Sequence, residues 1–78
     1  MNLNAETAAE LTAAEIREIR LSYRDEAGNP LSYRHFAKRI GVSWQAVQSW
    51  ELGLRKPGAV TVRVLSEMRR TQRSESRN

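Results

Sequence analysis

The sequence predicts an all-α fold: a small bundle of four helices, or five, in which two central helices cross through a very short turn. Three observations carry that expectation. Apolar residues recur at three- and four-residue spacing through most of the chain. Three helix starts carry Thr or Ser at the cap (Thr12, Ser32, Ser43), and two stops carry glycine (Gly41, Gly53). No stretch reads as a strand, because Val60-Thr61-Val62 is short and the helical spacing around it is stronger. There is no internal repeat.

A chain of 78 residues is one domain at most, and one this small buries little surface. It has no cysteine, so neither a disulfide nor a thiolate metal site can supplement the core. Helix packing, dimerisation or both must supply stability. No metal and no cofactor are expected. No apolar run approaches the roughly 20 residues of a membrane span. No signal-peptide pattern is visible, so a cytoplasmic location without membrane association is expected.

Charge is unevenly spread. Residues 1–15 hold three glutamates (Glu6, Glu10, Glu15) and no base. Residues 16–78 hold 13 bases against 6 acids, a net of +7. A basic domain behind an acidic segment points to a polyanionic partner. Small soluble domains also carry such charge for solubility alone.

Residues 1–11 are Ala- and Glu-rich and weakly patterned, and read as a frayed N-terminal segment. The domain proper is expected over 12–70. Thr12 and Glu15 form a capping-box pattern. Ile16, Ile19 and Tyr23 then share one helical face, together with Arg20, and this first helix is expected to end near Arg24. Residues 25–30 form a loop, broken by Gly28 and by Pro30, which excludes Asn29 from the helical region. Ser32 caps a second helix to about Arg39, with Phe36, Ala37 and Ile40 inward. Ser43 caps a third to about Leu52. On its wheel Val47, Trp50 and Glu51 face in, Gln45, Gln48, Ser49 and Leu52 face out, and Trp44 lies at the edge. Arg55-Lys56-Pro57-Gly58 is a basic turn. A fourth helix is expected from about Ala59 to Arg70, burying Val64, Leu65 and Met68. The charged residues 71–78 read as a disordered tail.

The second and third helices are joined by about three residues, which forces a steep crossing. Close approach needs a small side chain on the second helix, and Ala37 supplies it. The turn needs positive φ, and Gly41 supplies it. The third helix needs a compact apolar residue facing back, and Val47 supplies it. This set satisfies the geometry of a helix-turn-helix.

With LTAAEIREIR, LSYRHFAKRIGVS and VQSWELGLRKP in those places, the chain resembles the Cro/repressor-type (XRE-like) helix-turn-helix domains of phage and bacterial regulators. The resemblance covers roughly residues 11–68 and implies a lambda-repressor-like bundle. Two departures are visible. The loop at 25–30 is longer than is usual in the family, and one helix follows the basic turn where many members have two. The second departure bears on the family's usual dimer contacts.

Arg20 and Glu51 each lie on the apolar side of a helix, where a lone charge is costly. In the family an arginine of the first helix pairs with a glutamate near the end of the third. The resemblance therefore implies a structural ion pair between Arg20 and Glu51, fixing the third helix to the first.

The N-terminal half of the third helix is expected to enter the DNA major groove. Trp44, Gln45, Gln48 and Ser49 are the candidate base readers. Gln45 is the strongest, because an amide can bond adenine N6 and N7 together. Trp44 packs either on a thymine methyl or sugar, or over the neighbouring helix. Phosphate contacts are expected at the starts of the second and third helices, from Ser32, Tyr33, Arg34 and Ser43, where the helix dipole favours an anion. Lys38, Arg55 and Lys56 are the further phosphate candidates, and Arg69, Arg70, Arg73 and Arg77 could add non-specific affinity or simply be solvated. His35 and Asp25 are the only residues of their types, and no catalytic constellation accompanies them. No enzyme activity is expected.

The expected function is a sequence-specific transcriptional regulator of double-stranded DNA. It is read as a small repressor working as a homodimer on an inverted repeat, with half-site centres about 34 Å apart. The family resemblance extends this to autoregulation of a phage or mobile-element operon, with the protein nucleoid-associated when bound. Val60, Val62, the last helix and the N-terminal segment are candidate dimer surfaces. Two alternatives stand beside it. One is a DNA-binding antitoxin with a toxin partner. The other is a protein-interaction or RNA-binding module, favoured by outward Trp44 and Leu52. A protein partner of the repressor itself would be an anti-repressor.

Overall fold

Ile16 and Ile19 share one face of the first helix, and burying that face organises the rest of the chain. A computed structural model of the protein describes residues 11–76. It is all-helical: α1 (Ala13–Ser22), α2 (Tyr33–Ile40), α3 (Trp44–Glu51) and α4 (Ala59–Ser76). There are four helices and no strand among the described residues, and none of these helices is long and apolar enough to cross a membrane. Glu6 and Glu10, and the segment that holds them, lie outside the described residues.

The caps form as the sequence predicts. Thr12 Oγ1 accepts from the Glu15 amide at 3.0 Å, and the Thr12 amide donates back to Glu15 Oε1 at 2.9 Å. This reciprocal box satisfies two amides that a helix start leaves unpaired. Ser32 Oγ accepts from the His35 amide and Ser43 Oγ from the Ala46 amide, each at 3.2 Å.

α1 stops two residues earlier than its periodicity suggests. Tyr23 turns extended (φ −96°, ψ 149°), and its carbonyl accepts from the Leu31 amide. Arg24 and Pro30 face each other in an isolated antiparallel bridge. The loop between them closes on Asp25, whose Oδ1 accepts from the amides of Ala27 and Asn29, both at 2.9 Å. Local side-chain bonds of this kind outcompete another helical turn.

The core is Ile16, Ile19, Leu31, Phe36, Ala37, Val47, Trp50 and Leu65, drawn from all four helices and the entry to α2. Phe36 and Val47 are fully buried, and α2 packs chiefly on α3. Leu11, read as part of a frayed segment, is half-buried against this core.

Three expectations about the last helix need correction. Residues 71–76 are not a disordered tail; they continue α4. No Gly or Pro interrupts them, and Gln72 Nε2 donates to the Ser22 carbonyl at 2.7 Å, filling an acceptor at the end of α1. Val64 is not core: it is 39% exposed, and Val62 is buried in its place beside Leu65. Its burial also removes Val62 from the candidate dimer surface. The helix docks on α1 and its C-cap: Tyr23 Oη donates to the Met68 carbonyl at 2.9 Å, and Arg69 Nη1 lies 3.5 Å from Glu15 Oε2.

Candidate nucleic-acid interface

The turn between α2 and α3 is made by Gly41, at φ 80° and ψ 33°, a conformation that side chains with a Cβ rarely adopt. The amides of Gly41 and Val42 both donate to the Ala37 carbonyl, closing the end of α2. Ala37 is 2% exposed, as a close helix crossing requires. Val47 and Trp50 then fix α3 from below, so the opposite face of α3 is settled by elimination. Gln45 is exposed on it, and Gln48 and Ser49 are half-exposed.

A charged clamp fixes the far end of α3. Arg20 Nε donates to Glu51 Oε2 at 2.7 Å, and Nη2 donates to Oε1 at 2.9 Å. Arg20 Nη1 donates to the Leu31 carbonyl at 2.7 Å, and the guanidinium lies 4.6 Å from the Tyr33 ring centroid. One arginine of α1 thus holds the end of α3 and the entry to α2. Donating to the Glu51 carboxylate raises the Arg20 pKa above its ordinary value, outweighing the opposing effect of burial. The Leu31 and Tyr33 contacts are invisible in sequence, since only the folded crossing brings that backbone to Arg20.

The remaining candidates divide by position. Ser32 and Ser43 serve as cap acceptors, and each hydroxyl keeps its own proton to donate. Lys38 is exposed on α2. Arg55 and Lys56 are exposed in the turn after α3, where Gly53 (φ 77°) reverses the chain and the Ser49 carbonyl accepts the Leu54 and Arg55 amides. Tyr33 is half-buried beneath Arg20. Arg34 stacks on Trp44, with its Cζ 4.8 Å from the ring centroid. Trp44 is half-buried and packs against the core. Sequence reading placed both residues near the interface but missed their contact. The one available signal was that each occupies the first turn of a helix in a tightly crossed pair.

Arg69 and Arg70 are engaged by Glu15 and Glu67 in ion pairs of 3.5 and 2.7 Å. They belong to α4 and its contact with α1, and Arg77 lies outside the described residues. Comparison with protein-family models, curated proteins and solved structures finds no match.

Proposed function

We propose that this chain is a sequence-specific DNA-binding transcriptional regulator of the Cro/repressor (XRE-like) type. On this reading it is a small repressor that binds an inverted-repeat operator as a homodimer. It acts by occupancy, in the cytoplasm and on the nucleoid, and represses its own phage or mobile-element operon.

The observation that carries the reading is the orientation of α3. It is packed through Val47 and Trp50 and clamped through Glu51, leaving Gln45, Gln48 and Ser49 on the opposite face. A short rigid helix with amide side chains outward suits base edges in the major groove. Exposed Arg55 and Lys56 beyond its end, within a region of net charge +7, suit phosphate. Homodimerisation follows from size, because one such helix reads only a few base pairs. Leu52, Leu54, Val60 and Val64 are exposed large apolar residues grouped between the end of α3 and the second turn of α4, and they offer a surface for a second copy.

The same residues favour a second reading, in which a toxin or another protein partner seats there; co-purification with the product of a neighbouring gene tests it. Selection from random duplexes at two salt concentrations tests the first reading. An enriched inverted repeat is the expected result. Salt-sensitive retention with no enriched sequence would reject base reading. Competition by RNA of the same sequence separates an RNA role, because a helix cannot enter the deep, narrow RNA major groove.

A further inference from the structure

We propose that Trp44 is a platform for Arg34, and that the stacked pair reads a guanine beside the adenine taken by Gln45. This rests on the DNA-reading assignment of α3. Arg34 is the second residue of α2 and Trp44 the first of α3, so their stack bridges the first turns of the two crossed helices. The indole is held half-buried against the core, whereas Arg34 is exposed.

Chemistry separates the roles of the two side chains. Indole offers a single N–H donor and no acceptor, so it cannot address a base edge through a paired pattern. It does offer the best aromatic face for a cation. A guanidinium lying on that face keeps its N–H edge directed outward, and that edge matches guanine O6 and N7. Stacking also orders Arg34 before DNA arrives, which lowers the entropy lost on binding.

The three arginine stacks among the described residues differ in what they leave unused. The Arg20 guanidinium over Tyr33 is occupied by Glu51 and the Leu31 carbonyl. Arg39 in the last turn of α2 lies over Tyr23, the residue that ends α1, and so is turned towards α1. Arg34 stands beside the reading helix, and its guanidinium makes no hydrogen bond or ion pair among the described residues. It is the stacked guanidinium whose donor fork is left for a ligand at the interface.

The test uses the operator selected by the full chain, with all four bases placed in turn at each position flanking the Gln45 site. Arg34→Ala should abolish a guanine preference of roughly tenfold or more at one symmetric pair of positions. Arg34→Lys should lose that preference as well, because an ammonium lacks the fork. Trp44→Ala should lose most of it, Trp44→Phe should retain it, and the double variant Arg34→Ala/Trp44→Ala should be no worse than the worse single variant. In the free protein, the Arg34 Nε–H resonance should be shifted upfield by the indole ring and should move back in Trp44→Leu. Uniform weakening across all bases with a reduced salt slope would make Arg34 a phosphate contact and overturn the proposal. Additive losses, or failure of Trp44→Phe to retain the preference, would overturn the platform role. If the wild type selects no operator, the DNA-reading assignment itself fails and the guanine role falls with it. If it selects one that Arg34→Ala reads unchanged, only this inference falls.

Discussion

Arg20 and Glu51, separated by 31 residues in sequence, meet through two parallel N–H···O bonds of 2.7 and 2.9 Å. The Glu51 side chain is 3% exposed and that of Arg20 12%. A third bond from Arg20 to the Leu31 carbonyl completes the donor set on this side. A paired fork of this kind sets an angle as well as a distance. The clamp therefore fixes how α3 is presented, while Val47 and Trp50 fix how deeply it sits.

Glu51→Ala is expected to destabilise the fold by about 3–5 kcal/mol, since it leaves the arginine unpaired and largely buried. In a domain of this size that lowers the melting temperature by about 10 °C or more. The base preference of whatever remains folded should be unchanged. Thermal melting read by circular dichroism, alongside binding to sequence variants, checks both halves. An unaltered melting temperature would falsify the clamp.

Replacing Gln45 by Ala should leave the folding stability within about 0.5 kcal/mol of wild type, since the side chain is exposed. It should cost about 1–3 kcal/mol of discrimination at one symmetric pair of operator positions. Binding titrations against single-base operator variants measure this. A uniform loss across all positions would reassign Gln45 to the phosphate backbone.

Lys56→Ala is expected to behave in the opposite way. Affinity should fall by a similar factor on every sequence, and the dependence of log K on log salt should become shallower by about one unit per protomer. An unchanged slope would show that this exposed lysine is merely solvated.

Glu15 provides a pH test. The Thr12 backbone amide bonded to its carboxylate, aided by the charges of Arg69 and Arg73, holds its pKa below the ordinary 4.5. Its folded pKa is therefore depressed, so its charge contributes stability above the ordinary value, and that contribution is lost as pH falls through the folded value. Glu15→Gln keeps an acceptor for the cap and removes only the charge. The variant should melt below wild type at pH 7, and the two should converge once pH has fallen through the depressed folded value. A gap that persists into acid would assign the difference to the cap itself. Glu15 is partly exposed, so high salt should also narrow the gap at pH 7.

Val60→Glu should shift the protein towards monomer, measured by sedimentation equilibrium, with no loss of melting temperature beyond the loss of association. Val60 is 78% exposed, so the substitution disturbs no packing within the protomer. A dimer that survives it would place the contact elsewhere.

Much of this architecture was legible from local chemistry. Caps at Thr12, Ser32 and Ser43 act within four residues of themselves, so their side chains declare the helix starts. Ala37, Gly41 and Val47 are dictated by a short turn and a close crossing, and each type at its position has few substitutes. Periodicity alone placed Phe36, Val47 and Trp50 inward and Gln45 outward.

What sequence left open depended on contacts between distant segments. The spacing of α4 allowed either Val62 or Val64 to face inward, and docking against α1 chose Val62. Residues 71–76 look like a polar tail until Gln72 meets the Ser22 carbonyl, 50 residues away. The Tyr23 turn ended α1 early because its backbone pairs with Leu31. Trp44 could have faced either a groove or a neighbour until the crossing of α2 and α3 brought Arg34 over its ring. The sequence by itself determined the all-helical class, the caps, the tight turn and the polar face of α3, because those follow from interactions within a few residues. Tertiary structure decided the rotation and length of α4, the partners of Arg20 and the pairing of Arg34 with Trp44, because these depend on where separate helices cross.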